Sequence, residues 1–218
     1  MSMFSIFKGV LDLIVPEKTG ILNQVPSLEK ILNGKIIILY KNNQEIIKEI
    51  KNAKLGGQWS IAVYFGEILA KNIKNNQFPA FSNLDFITFV PGDPIRAKTR
   101  GYHVPQIIAK TTAGDLEIPF LDLFFKNKHT KTQTSMGKDE RLENLKDVFS
   151  VNKTALEKII LKKQNQKQNH KIKLLIIDDV TTTGATLLEL EKTIKKAAFS
   201  LENQVQLEII LFAITGQD

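Results

Sequence analysis

Leu174-Leu175-Ile176-Ile177-Asp178-Asp179-Val180-Thr181-Thr182-Thr183-Gly184-Ala185-Thr186 sets four apolar residues before two adjacent carboxylates and a hydroxyl-rich loop that turns on one glycine. The four aliphatics suit a strand buried on both faces of a parallel sheet, and Leu187-Leu188-Glu189-Leu190-Glu191-Lys192 has helical composition. The stretch therefore reads as strand, loop, helix, with the loop at the carboxyl end of the strand. Open α/β sheets receive ligands there, and the following helix offers free backbone N–H groups and the positive end of its dipole to an anion. A phosphate is the natural guest.

Adjacent carboxylates at a strand end repel one another unless a polyhydroxyl group or a cation comes between them. A ribose 5-phosphate meets both demands. The hydroxyls of Thr182, Thr183 and Thr186 and the amides from Thr181 to Thr186 would hold the phosphate, while Asp178 and Asp179 accept from the ribose hydroxyls. The competing reading is a polar strand-end loop without a ligand, because short motifs carry false positives. A P-loop is excluded, since no Gly-x-x-x-x-Gly-Lys precedes a helix anywhere in the chain. All thirteen positions resemble the loop that binds phosphoribosyl pyrophosphate (PRPP) in type I phosphoribosyltransferases.

The remaining composition narrows the class. With 218 residues and 43% hydrophobic content, the chain can bury a sizeable core. No apolar run reaches the ~18 residues of a membrane span, and Asp12 interrupts the first hydrophobic stretch, so a cytoplasmic protein is expected. The absence of cysteine excludes disulfides and thiolate metal sites, and His103, His129 and His170 lack ligand spacing, so no zinc is expected. A net charge of +7 suits nucleic acid or a polyphosphorylated substrate equally. Lysine outnumbers arginine 27 to 3. The three arginines, Arg96, Arg100 and Arg141, fall in two segments where a bidentate fork on phosphate oxygens would matter. Buried ion pairs are the competing explanation.

Along the chain, Phe4, Phe7, Leu11 and Ile14 predict a short amphipathic helix over 2–14 that ends at Pro16. A strand is expected at 35–40, then a helical hairpin over 42–55 and 58–74 that turns on Gly56-Gly57. Residues 84–90 read as the first strand of the parallel core, stopping at Pro91-Gly92-Asp93-Pro94, followed by a helix at 103–113 and a second strand at 119–125. A polar, lysine-rich segment from Lys126 to Lys146 has the length of a lid. A strand at 147–151, a helix at 153–163, the motif strand at 172–177, a helix at 187–199 and a strand at 205–214 complete an α/β alternation. Gln164 to His170 is a low-complexity solvated run, with a weak nucleic-acid contact as its alternative role.

Three further stretches resemble one branch of the type I phosphoribosyltransferases, the ComF family associated with bacterial competence for DNA uptake. Glu45 to Lys54 before a glycine turn is similar to that family's helix and its Lys-aromatic-x-Gly signature, with Leu55 in place of the aromatic. Arg96 and Arg100-Gly101-Tyr102-His103 resemble its Arg-Gly-Phe-Asn-Gln segment, with His103 for Asn and Val104 for Gln. Gln133, Arg141, Asn144 and Phe149 fall at the spacing of its Gln, Arg, Asn and Phe. Leu11 to Pro16 is similar to the stretch that leads into a four-cysteine zinc module in many members, and no cysteine follows here.

The resemblance implies a type I phosphoribosyltransferase fold over residues 35–218, with a mostly parallel central sheet flanked by helices and a flexible hood, and an N-terminal remnant over 1–34. It implies binding of PRPP with magnesium, the metal carried by the substrate and touched by Asp178 or Asp179 through water. Pro91, Gly92, Asp93, Arg96, Arg100 and Lys54 would face the pyrophosphate, and Arg141 would act with Asp178 and Asp179 in catalysis. Two functions stay open: transfer of the phosphoribosyl group to an unidentified amine or nucleobase, and a non-catalytic PRPP-binding module that works with competence proteins in DNA uptake. A nucleic-acid-binding protein without a nucleotide site is a third reading and rests on net charge alone.

Overall fold

The apolar run at 174–177 lies at the centre of an eleven-residue strand, and its residues are at most 2% exposed. Burying an aliphatic side chain of this size contributes about 1.5–3 kcal/mol, so this run is a major source of core stability. The computed structural model describes residues 25–75, 78–93, 101–127, 147–165, 171–201 and 206–216. In order the elements are β1 (Glu29–Ile31), β2 (Ile36–Lys41), α1 (Gln44–Leu55), α2 (Ser60–Lys74), a 3-10 turn (Pro79–Phe81), β3 (Phe86–Phe89), α3 (Val104–Leu116), β4 (Phe124–Lys126), β5 (Phe149–Val151), α4 (Lys153–Asn165), β6 (Lys171–Thr181), α5 (Ala185–Phe199) and β7 (Gln206–Gly216).

The main sheet has the order β1-β2-β7-β6-β3. Strands β2, β7, β6 and β3 are parallel, and β1 alone runs antiparallel, on the edge beside β2. Side chains alternate across this sheet and divide the core in two. Ile37, Leu39, Ile87, Leu175, Ile177 and Phe212 pack toward α1, α2 and α3. Ile36, Ile38, Phe86, Leu174, Ile176 and Leu211 pack toward α4, α5 and the β4–β5 pair. The expected α/β architecture, a mostly parallel sheet with helices on both faces, is what the chain adopts.

Local sequence explains the helix that matters most to the site. Asn43 caps α1, its Oδ1 accepting from the N–H groups of Glu45 and Ile46 at 3.1 Å each. Ile46, Ile50 and Ala53 then form a buried stripe at helical spacing that seats α1 on the sheet. Helix α2 meets α3 closely at Gly66, where an added Cβ would stand 2.6 Å from Thr111 Cβ and 2.8 Å from Ile108 O.

Several boundaries differ from the sequence reading. The segment 119–125, expected as one core strand, meets the sheet in a single bridge, Phe120 beside Ile87, and then leaves it to pair antiparallel with β5. The ladder here amounts to Ile87 N–H donating to Pro119 O and Leu121 N–H to Ile87 O, and Pro119, which lacks an N–H, cannot extend it toward the amino end of β3. The motif strand runs four residues beyond 177, because β7 supplies partners as far as Gly216 opposite Thr181. Strand β1 was not anticipated. The helix read at 2–14 and the segment 128–146 lie outside the described residues.

Candidate functional site

At the carboxyl edge of the sheet, β6 carries the two aspartates side by side. Asp179 follows Leu175 and Ile177 toward the α1 side, and the Asp178 side chain stays close enough to that of Asp179 for the two carboxyls to interact. Asp179 is 3% exposed and is met by Lys54 from α1. The ammonium donates to Asp179 Oδ1 at 2.8 Å and lies 2.7 Å from Oδ2, the second contact falling off the hydrogen-bonding direction. Val180 N–H also donates to Asp179 Oδ1, at 2.7 Å, and Asp179 N–H donates to Asp178 Oδ1 at 2.8 Å.

The electrostatics are lopsided. Burial, then the adjacent Asp179 carboxylate, push the Asp178 carboxyl up to about 7, while the Lys54 ammonium and the Asp179 amide oppose the rise. Asp178 thus favours its neutral form more than an ordinary carboxyl does, as expected for a buried acid beside a second carboxylate.

Beyond the aspartates, Thr181 completes β6 and Thr182–Gly184 make the turn into α5. Gly184 sits at the cap with φ 68° and ψ 0°, a left-handed conformation that glycine adopts without penalty. A Cβ there would also stand 2.4 Å from Leu32 Cδ1 and 2.6 Å from Ile36 Cδ1. Among the described residues no side chain caps the amino end of α5, and no acidic residue occupies its first turn. Thr182 is exposed, and Thr183 and Thr186 are half-buried beside these amides. An anion there would meet unshared N–H groups and the positive dipole end of a fifteen-residue helix.

Pro91, Gly92 and Asp93 leave β3 next to this strand end, where Val90 N–H donates to Ile177 O at 2.9 Å. Gly92 lies against the His103 imidazole, so close that an added Cβ would stand 2.5 Å from the ring, and that ring also packs on Phe89 at 5.7 Å between centroids. Tyr102 OH donates to Ala53 O at 2.5 Å and ties the residues after Gly101 to the last turn of α1. Lys54, Asp178, Asp179, Pro91–Asp93 and Thr182–Thr186 therefore share one edge of the sheet, and His103 joins them. The sequence singled out His103 only as a departure from a pattern, and nothing in it signalled the packing on Gly92. Arg96, Arg100 and Arg141 lie outside the described residues.

Magnesium can be tested against these donors. Lys54 stands within 2.8 Å of both Asp179 oxygens and would repel a cation there, so of the two acids only Asp178 fits a water of the metal. Among the described residues, no three His, Asp or Glu side chains are grouped as a protein-only metal cage. Among them, too, no helix is long and apolar enough to cross a membrane.

Fold and site together define an α/β protein with an anion-accepting turn and an acidic strand end at the carboxyl edge of its sheet. Within that class the chain is related to competence protein F of Haemophilus influenzae, with 34% identity over 108 residues. That match covers 49% of this chain and 42% of the relative, so the chain spans less than half of the curated protein it matches. The ComF resemblance carried by the sequence motifs agrees with this relationship. No protein-family model matches. Among solved structures the chain is similar to adenine phosphoribosyltransferase of Trypanosoma brucei in complex with AMP, pyrophosphate and ribose-5-phosphate, at 11% identity and a TM-score of 0.43, covering 88% of this chain and 87% of that one. It is also similar to the adenine phosphoribosyltransferase of Leishmania donovani, at 11% identity and a TM-score of 0.41, covering 87% and 86%.

Proposed function

We propose that the chain is a type I phosphoribosyltransferase-like protein that binds PRPP with magnesium at the carboxyl edge of its sheet. The observation that carries this reading is the uncapped amino end of α5, entered through a left-handed glycine, immediately after an acidic strand end. On this reading the amides of the first turn of α5 and the hydroxyls of Thr182, Thr183 and Thr186 hold the 5-phosphate. The acidic strand end meets the ribose, and Pro91–Asp93 with Arg96 and Arg100 face the pyrophosphate. Arg141 contributes a bidentate fork to the same charge. Magnesium, when bound with PRPP, neutralises the departing pyrophosphate. The protein's share of the reaction is to align an amine or nucleobase with the anomeric carbon, stabilise developing charge and keep water away.

A second reading, a PRPP-binding module that acts in DNA uptake without turnover, is favoured by the name of the curated relative, competence protein F. Either role belongs in the cytoplasm, and neither calls for zinc; elemental analysis of the purified, untagged protein should find less than one zinc per chain. Pyrophosphate release from PRPP across a panel of bases and amines separates the two. Release that depends on an acceptor supports the transferase, and PRPP binding without release supports the module. If single-stranded DNA binds while PRPP neither binds nor raises the melting temperature, the PRPP site is wrong.

A further inference from the structure

We propose that Lys54 is a positioning residue, holding Asp179 on the α1 side of β6 so that Asp178 alone meets the ribose. This inference rests on the PRPP reading and divides labour within that site. From sequence, the two aspartates form one acidic pair and Lys54 belongs to the pyrophosphate. The geometry points to a different allocation.

Three observations carry it. First, Asp179 lies on the α1 side, where Lys54 meets it, and is only 3% exposed, whereas Asp178 is half-buried and is the more open acid at the strand end. Second, the Asp179 carboxylate is already engaged. Oδ1 accepts from Lys54 at 2.8 Å and from Val180 N–H at 2.7 Å, and Oδ2 has the same ammonium 2.7 Å away. A ribose hydroxyl would have to displace Lys54 to reach it. Third, moving Lys54 to pyrophosphate would leave a carboxylate that is 3% exposed without its counter-ion, among the costlier defects a protein interior can hold. The helix behind Lys54 is also fixed, by its buried Ile46–Ile50–Ala53 stripe and by Tyr102 OH on Ala53 O. The pair thus joins α1 to the end of β6. Because Asp179 N–H donates to Asp178 Oδ1, fixing Asp179 also fixes the acid that faces the ligand.

The test uses two probes that split PRPP: ribose 5-phosphate, and inorganic pyrophosphate with magnesium. Calorimetric titration of the full chain is done for the parent and for Lys54→Met, Lys54→Arg, Asp179→Asn and the double variant Lys54→Met/Asp179→Asn. We expect Lys54→Met to weaken ribose 5-phosphate by about tenfold, the scale of losing a supporting partner behind a ligand group, and to leave pyrophosphate within about twofold. Lys54→Arg should recover most of the loss. The double variant should bind ribose 5-phosphate no more weakly than Lys54→Met alone, since neither partner acts without the other. It also leaves no buried charge alone, so it remains a test if Lys54→Met fails to fold. Weakening of pyrophosphate by Lys54→Met or by the double variant to the same degree as ribose 5-phosphate, or more, would make Lys54 a direct anion ligand and overturn the proposal. Losses that multiply in the double variant would place Asp179 on the ribose and overturn it equally. A parent protein that binds neither probe overturns the PRPP reading itself, and this inference with it.

Discussion

At the amino end of the central strands, Lys163 pairs with Asp85, whose other oxygen accepts Lys173 N–H at 2.9 Å, and Lys171 and Lys173 flank Glu208 at 2.7 and 3.2 Å; at the carboxyl end Lys54 is, among the described residues, the one ammonium paired with the two adjacent carboxylates, bonding Asp179 and acting on Asp178 through its field. Both ends are charged and both join distant parts of the chain. At the amino end, where Asn83, Leu84 and these side chains line a groove of about 620 Å³, each carboxylate has at least one cation of its own. Hydrogen bonding from Lys171 is the main reason that the Glu208 carboxyl titrates below its usual range. At the carboxyl end the Asp178 carboxyl is driven the other way. A matched network holds structure together, whereas a buried acid beside a second carboxylate destabilises the empty protein, a strain that on the proposed reading the magnesium accompanying PRPP would ease.

The sharpest way to break this contrast is to neutralise each end in turn. Asp178→Asn with Asp179→Asn should abolish the rise in melting temperature produced by Mg-PRPP, because a ligand stabilises only through the native state it binds. Asp85→Asn should lower the melting temperature and leave the ligand-induced rise intact. A rise that survives in the strand-end double variant would refute the site.

A smaller effect comes from pH. Because the folded-state value for Asp178 is raised, its contribution is fully present below the unfolded value near 4 and is lost as pH climbs through about 7. The empty parent protein should therefore lose stability between pH 5 and pH 8, and Asp178→Asn should remove that loss and gain on the order of 2 kcal/mol at pH 8. Urea unfolding at the two pH values measures it, and a variant with the parent's slope would show that Asp178 is not the strained group.

Arg141→Lys keeps the charge and loses the planar fork, so Mg-PRPP should bind more weakly by about 1 kcal/mol with the stability of the empty protein unchanged. If Arg141 serves a buried ion pair instead, Arg141→Ala will destabilise the empty protein by about 3–5 kcal/mol. The smallest change is expected at the amino end. Glu208→Gln should cost about 0.5 kcal/mol at pH 7, since the Glu208 side chain is about a third exposed and solvent screens its pairs. Its stabilising contribution is present above the unfolded value and is lost as pH falls through the lowered folded one, and added salt should shrink it. A cost of several kcal/mol would mean that the amino end is as strained as the site.

Much of this was legible in the residues because the information is local. The apolar run, the acids, the threonines and the glycine of the motif fall within thirteen positions, and their reading as strand, turn and helix matches β6, the turn at Gly184 and α5. The helical hairpin was equally plain, since Asn43 caps its start and Gly56-Gly57 follow the last turn of α1. What escaped was set by partners far away in sequence. Lys54 and Asp179 stand 125 positions apart, and no periodicity announces that contact. The length of β6 depends on β7 offering partners as far as Gly216, and the fate of 119–125 turns on the antiparallel pairing of Phe124–Lys126 with β5. Strand β1 did leave a signal, the Asn33-Gly34 pair, whose positive φ angles of 56° and 82° suit a tight turn between strands.

Gly184 binds the history of the turn to that of the hairpin opposite it. Leu32 and Ile36 come within 2.6 Å of where its missing side chain would be, so neither place can change size without regard for the other. Across relatives these three positions should vary as a set: large aliphatics at 32 and 36 wherever 184 is glycine, and smaller ones wherever it is not. A sheet edge with no evident part in chemistry would then carry a record of selection on the turn proposed to meet the phosphate.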